Sequence, residues 1–250
     1  MNRSTLLMAG IFASFVFSCF ALVLVPQAQL GRLQPHVDKD EEDKVTGVYP
    51  VNHVKYGARV YASEGCVYCH SQQVRDPQNG RDIASGWGVR RTVARDYLYD
   101  EPVFLGSSRF GPDLANIGAP TWRNEPENDT RRPGKRDAAW HYLHLYKPRA
   151  VIFESNMPPY RYLFEKRKIG GQRSANALPA DQVNVEDGYE IVPKADAVAL
   201  VGYLLSLNRG HPLPEAKSDL SPATPAIPGA PATPTAPTAP APPAPTPAAE

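Results

Sequence analysis

The stretch EGCVYCHSQQVR, residues 64–75, places Cys66 and Cys69 three apart with His70 directly after them. Two thiols at that spacing suit a redox dithiol, half of a zinc site, a disulfide or the covalent attachment of a haem. A closed zinc site needs about four nitrogen or sulfur ligands. The chain has only three cysteines, and the third, Cys19, lies inside a long apolar run. A thioredoxin-like dithiol wants a βαβ setting, which the hydrophobic pattern does not provide. His70 decides the matter. With Cys66 and Cys69 added across the vinyl groups of a haem, the next residue is carried under the ring as an axial iron ligand. The spacing therefore reads as one covalently bound haem c with His70 proximal.

Iron held this way has a sixth position, for which Met157, His53, His141, His144 or no residue are the candidates. Met1 and Met8 stand at or inside the apolar run, so Met157, in ESNMPPY, is the thioether available outside it. Pro158 and Pro159 stiffen that loop and lower the entropy lost when the sulfur is held in place. A core-filling methionine suits so polar a loop poorly. His141 and His144 lack a matching second ligand pair and read as partly buried or surface histidines. His53 reads as lining or capping the pocket, and His36 and His211 as solvated linker residues. Histidine–methionine ligation raises the reduction potential and leaves no open position on the iron. That implies electron transfer and not oxygen chemistry.

The run SSRFGPDLANIG, residues 107–118, supplies another wall. Its Gly-Pro turn can set the Pro112 carbonyl against the second ring nitrogen of His70, fixing the imidazole. Arg109, Arg75 and Trp87 are candidates to pair with haem propionates, since a carboxylate taken out of water must be paired. Each arginine equally suits plain surface solubility.

These groups need elements to position them. From Thr5 to Val25 there are 21 residues without a charge. A helix of that length, rising 1.5 Å per residue, spans a hydrocarbon core of roughly 30 Å. The run is longer than a signal-peptide core and continues beyond Cys19, so an uncleaved anchor is expected rather than a lipoprotein signal. Arg3 precedes it and the acidic DKDEED follows, which places the N-terminus in the cytoplasm and the rest of the chain outside. Gly10, Ser14 and Ser18 fall on one helical face. They either admit a second membrane helix or reflect the ordinary abundance of small residues in such helices.

From about Ser218 the chain is a proline, alanine and threonine tail that cannot bury apolar side chains and reads as disordered. Helices are expected from Val51 to Cys66, through AAWHYLHLYK as far as Lys147 because Pro148 follows, and from Asp196 to Asn208 with Gly210 ending it. No alternating strand pattern and no repeat are seen. The apolar inventory is small for a domain of this length, so a flat macrocycle is expected to fill its middle. With 27 basic and 26 acidic side chains the net charge is +1, and nothing global points to nucleic acid. Basic clusters at Arg131, Arg132, Lys135 and Arg136, and at Arg161, Lys166, Arg167 and Lys168, either steer an acidic partner or solvate loops.

GARVYASEGCVYCHSQQVR, RTVARDYLYDEPVFLGSSRFGPDLANIG and AAWHYLHLYKPRAVIFESNMPPYRYLFE together resemble the membrane-anchored mono-haem subunit (subunit II) of cbb3-type cytochrome c oxidases. The similarity spans about residues 50–165, the anchor and the final ALVGYLLSLNR helix. It implies thioethers at Cys66 and Cys69, His70 proximal and Met157 distal. The fold class implied is mainly α, a class I-like cytochrome c domain with loop insertions. The expected layout is an anchor at 1–26, a linker at 27–49, the cytochrome c domain at 50–215 and the tail at 216–250. The resemblance also implies a bacterial inner membrane location with the haem domain on the periplasmic side. Electrons would arrive from another c-type cytochrome, either a sister subunit or a soluble donor, and pass to a haem-copper catalytic membrane subunit. That partner, and not this chain, would reduce oxygen. TWRNEPENDTRRPGKRDA and KIGGQRSANALPADQVNVEDGYEIVPKAD depart from the family pattern and read as surface insertions. A nitric oxide reductase cytochrome subunit, a free-standing membrane-tethered shuttle, and a gas sensor or peroxidase with an open sixth position are the rival readings.

Overall fold

The structure is a computed structural model that describes residues 2–35, 53–119 and 136–216; the tail, most of the linker, and Arg131, Arg132, Lys135 and most of the first insertion lie outside them. Its described part is mostly helical. Helix α1 runs Arg3–Leu30, long and apolar enough to cross a membrane. At 1.5 Å per residue it is about 42 Å long. It does not stop at Pro26. Phe20–Leu24 widens into a π-turn, with the Val25 N–H reaching the Phe20 carbonyl, just before the proline. A proline lacks a donor and crowds the preceding turn, and a π-turn is one of the ways a helix carries such a defect. The apolar side chains of α1, among them Phe12, Phe15 and Phe17, are exposed.

Outside this helix, the centre is the crossing of α2 (His53–Ser63) on a C-terminal helix, here α6 (Ala195–Ser206). On α6, Ala197, Leu200, Val201 and Leu204 are buried at the 3.6-residue period of a helix facing a core, and Asp196 in the first turn suits the positive end of the helix dipole. Gly57 sits at the contact. A side-chain carbon there would lie 2.0 Å from the Ala199 carbonyl oxygen, so the two backbones meet where only glycine fits. Gly210 does not end α6. The helix stops at Ser206 because Leu207 turns extended and drops its fully buried side chain into the core. There its carbonyl accepts from Gly118 N at 2.8 Å.

Between these helices lie α3 (Ala138–Tyr146) and the short α4 (Pro148–Val151). The Asp137 carboxylate caps α3 by accepting from Trp140 N, as an N-cap should. Lys147 breaks the helical path before Pro148, as the sequence requires. Two strands were not expected: β1 (Phe164–Lys168) and β2 (Tyr189–Pro193) pair antiparallel, with Phe164 opposite Pro193 and Lys168 opposite Tyr189. The short α5 (Ala180–Val183) joins them. The segment read as the second surface insertion is thus partly core, since Leu178, Val183 and Ile191 are buried with the central helices.

Loops are fastened by charge. Arg90 meets Asp96 at 2.8 Å with both side chains almost free of solvent, and Arg90 Nε also donates to the His211 carbonyl at 2.6 Å. Arg209 pairs with Asp100, and its backbone N–H donates to Asn116 Oδ1. Removing one partner of such a buried pair costs about 3–5 kcal/mol.

Gly57→Ala is expected to open the α2–α6 crossing at the typical overpacking cost of about 1–3 kcal/mol or more. A fall in the denaturant midpoint of the purified chain checks this; an unchanged midpoint would contradict the contact.

Candidate haem site

Helix α2 ends at Ser63, and Gly65, whose φ of 72° lies in the left-handed region that glycine tolerates, turns the chain. The chain then winds a 3-10 turn, Cys66–Tyr68. His70 N donates back to the Cys66 carbonyl at 2.9 Å and Cys69 N to the same oxygen at 3.2 Å, so the two cysteines and the histidine share one compact turn. Neither cysteine is in a disulfide; Cys66 is buried and Cys69 exposed. Burial pushes the Cys66 thiol up to about 12.

His70 is fixed from a distant part of the chain. Its Nδ1 lies 2.8 Å from the Pro112 carbonyl oxygen. A carbonyl only accepts, so Nδ1 carries the proton and Nε2 keeps its lone pair. Burial holds the imidazole below its ordinary value, with the Pro112 carbonyl pulling the other way, and the neutral ring is the form that ligates a metal. The wall is stitched on by Gly111 N to the Cys69 carbonyl at 3.0 Å and Leu114 N to the Ser71 carbonyl at 2.8 Å. The buried Asp113 carboxylate accepts from Ser71 Oγ at 2.6 Å and from Gln73 N at 2.8 Å. Gly111 is the cradle itself, because a side-chain carbon there would lie 2.2 Å from His70 Cε1.

Met157 is half-buried against the core. Its backbone N–H rests on Ser155 Oγ. Three residues on, Tyr160 N donates to the Leu145 carbonyl of α3 and Tyr160 Oη to the Glu64 carbonyl just before the cysteines. The methionine loop is thereby tied to α3 and to the start of the cysteine turn. Burial, with the two cysteine sulfurs close by, raises the Tyr160 hydroxyl to about 12.

The other anticipated residues divide. Arg75 is spent on Asp82, through Nε and Nη2. Arg109 pairs with the buried Asp82 at 2.8 Å, lies 3.9 Å from Asp113, and donates to Ser71 Oγ and the Gln73 carbonyl. Trp87 lies under it, ring centre 5.7 Å from the guanidinium carbon. The backbone of His53 begins α2. His141 is buried with its Nδ1 on the Asp137 carbonyl, and His144 stacks on Trp140 at 4.8 Å and 12°. Burial pushes both histidines down to about 4. For His144 the neighbouring His141 and His70 add to the shift.

Several buried polar atoms have no partner within the described residues: Trp87 Nε1, Trp140 Nε1, His141 Nε2 and His144 Nδ1. Leaving such an atom unsatisfied costs about 1–3 kcal/mol, and native proteins seldom do so. Two cysteines and a lone-pair imidazole in one turn, a glycine cradle and unsatisfied polar atoms form a donor set that fits a planar iron macrocycle. Among the described residues no cluster of three or more His, Cys, Asp or Glu side chains could hold a bare metal ion. Sequence reasoning missed Gly111, Asp113 and Trp140. The GPD triplet was the available signal for the first two, since a Gly-Pro turn next to a carboxylate is apt to bind backbone N–H groups.

The family model described as "Cytochrome C oxidase, mono-heme subunit/FixO" matches residues 12–200. None of the curated proteins compared with the chain matches it.

Gly111→Ala is expected to push the His70 ring out of place. Disrupting the partner of a metal-binding histidine typically costs about 10–100-fold in metal affinity or activity. Loss of the low-spin haem spectrum at unchanged expression checks this, and an unaltered spectrum would contradict the cradle. His141 and His144 bind protons more readily when unfolded, at about 6.5, than folded, at about 4. Their contribution to stability is therefore present above about pH 6.5 and lost as pH falls toward 4. Denaturant midpoints measured across that window should fall, with a shallower fall in His141→Gln; a flat profile would contradict two buried neutral rings.

Proposed function

The chain belongs to the cytochrome c oxidase mono-heme subunit/FixO family, subunit II of cbb3-type oxidases, and on that premise we propose that it relays single electrons from a c-type cytochrome to the catalytic subunit of the complex. The family carries one haem, and membership makes this chain a subunit of an oxidase. The proposal adds how the haem is held and where the subunit sits. The observation that carries it is the His70 imidazole, donating through Nδ1 to Pro112 and keeping Nε2 for iron, in the same turn as Cys66 and Cys69.

In this reading Cys66 and Cys69 would hold a haem c through thioethers, His70 and Met157 would ligate its iron, and Pro112 would fix the His70 tautomer. A haem held so supplies a one-electron ferric/ferrous couple. Residues 50–215 form the class I-like cytochrome c domain. Arg109 contributes by holding Ser71 and Gln73, the residues directly after His70, because Asp82 and Asp113 already offset its charge. The Met157 loop is tied to α3 through Tyr160 N and to Glu64 through Tyr160 Oη, which would restrain the sulfur that the reading assigns to the iron. A filled coordination shell excludes oxygen, so its reduction belongs to the catalytic partner.

Helix α1 is the single inner-membrane anchor, with the N-terminus cytoplasmic and residues 50–215 on the periplasmic side. Ser14 satisfies its own hydroxyl on the Gly10 carbonyl at 3.0 Å, so the small face of α1 can meet a neighbouring helix without burying an unpaired donor.

Met157→Leu is expected to remove the near-infrared sulfur-to-iron absorption and to lower the midpoint potential, since methionine ligation raises it. Retention of both would exclude Met157 as the ligand. Affinity purification of the full chain from membranes in mild detergent should bring down a haem-copper subunit and oxygen-consuming activity; isolation of the chain alone would overturn the relay assignment.

A further inference from the structure

Haem carries its own hydrogen-bond acceptors, and they constrain which side chains can surround it. The two propionate carboxylates at its edge accept only. A buried side chain that can only donate, and that has no acceptor in the protein, is the complement of such a group. An indole N–H is the one neutral side-chain group of this kind. Trp87 Nε1 and Trp140 Nε1 are both buried with no hydrogen-bond partner among the described residues.

An arginine lies over each ring, Arg109 at 5.7 Å from the centre of Trp87 and Arg136 at 5.3 Å from that of Trp140. Each ring is also held in place. The Trp87 backbone donates to the Asp82 carbonyl and accepts from Asn116 Nδ2 at 2.9 Å. Trp140 is locked at the start of α3 by the Asp137 cap and stacked face to face on His144, on the same helix to which the Met157 loop is tied by Tyr160 N and the Leu145 carbonyl. Other nearby polar groups are already engaged. His141 has used its N–H on the Asp137 carbonyl, leaving a lone pair that would repel a carboxylate. Arg75 and Arg109 are engaged by Asp82.

We infer that the indole N–H groups of Trp87 and Trp140 seat the haem propionates, one from the loop before the Gly-Pro wall and one from the first turn of α3. The inference rests on the haem reading above and assigns the far edge of the cofactor, opposite the cysteine attachments. Trp140 is thus a binding residue, and His144 a positioning residue that sets its ring plane.

The test uses the full chain purified in detergent. Pyridine haemochrome on wild type establishes covalent haem first; its absence would sink the haem reading and leave the indoles unassigned to any propionate, which also overturns this inference. With haem present, resonance Raman spectra of Trp87→Phe and Trp140→Phe should each show a shift of a propionate bending band, while low-spin marker bands stay in place. Propionate bands unchanged in both variants would overturn the inference and leave the axial scheme standing. Should either variant fail to mature, wild type labelled with indole-15N tryptophan carries the test. The chain has three tryptophans, and the indole signals of Trp87 and Trp140 should be displaced between the ferric and ferrous states. Two unmoved signals would overturn the assignment.

Discussion

The hydrogen bond from His70 Nδ1 to the Pro112 carbonyl joins residues 42 apart in sequence, and the rest of the site is arranged around it. It fixes a tautomer, and the tautomer fixes which nitrogen can reach a metal. For the bond to form, the wall must approach closely, so Gly111 has no side chain. For the wall to stay, its backbone must be satisfied, which Cys69, Ser71 and the Asp113 carboxylate do. A histidine held by one weak contact would sample several orientations; one held by a short ladder does not.

The core under this site is modest and built from crossing helices. Gly57 and Gly118 each sit where a side-chain carbon would strike a carbonyl, of Ala199 and Leu205 respectively. Two segments are therefore pressed onto α6 at backbone distance. Around that contact the long loop between the cysteine turn and the Gly-Pro wall has few apolar residues to bury. It is fastened by ion pairs removed from water, Arg90 with Asp96 and Arg209 with Asp100. Such pairs add little net energy over apolar packing but penalise any arrangement that separates them. They give a loop-rich region one shape.

Much of this was legible in the residues. Covalent attachment chemistry demands its spacing within one turn, so Cys66, Cys69 and His70 could be nominated together without a fold. The helices around Tyr61, Leu143 and Leu200 follow from apolar period and from Pro148. The strands were hidden because FEKRK has only Phe164 buried, leaving no alternation to detect, and because β2 buries Glu190, whose charge is met by Ser174 and Arg167. Leu178 and Ile191 looked like parts of an insertion because their partners are remote. Gly210 was a reasonable stop signal that the buried Leu207 pre-empted.

What the sequence by itself determined is what local covalent geometry and composition impose: an apolar run long enough to span a bilayer, a turn carrying Cys66, Cys69 and His70, and a helix ended by proline. What only the tertiary structure decided is which remote groups face that turn. Pro112 was nominated from the Gly-Pro pattern, yet its carbonyl finds His70 only through a ladder of backbone bonds. Arg109 was nominated on charge, and the fold gave its charge to Asp82. Trp140 was not nominated at all, because an unsatisfied N–H does not exist until packing has removed the water around it.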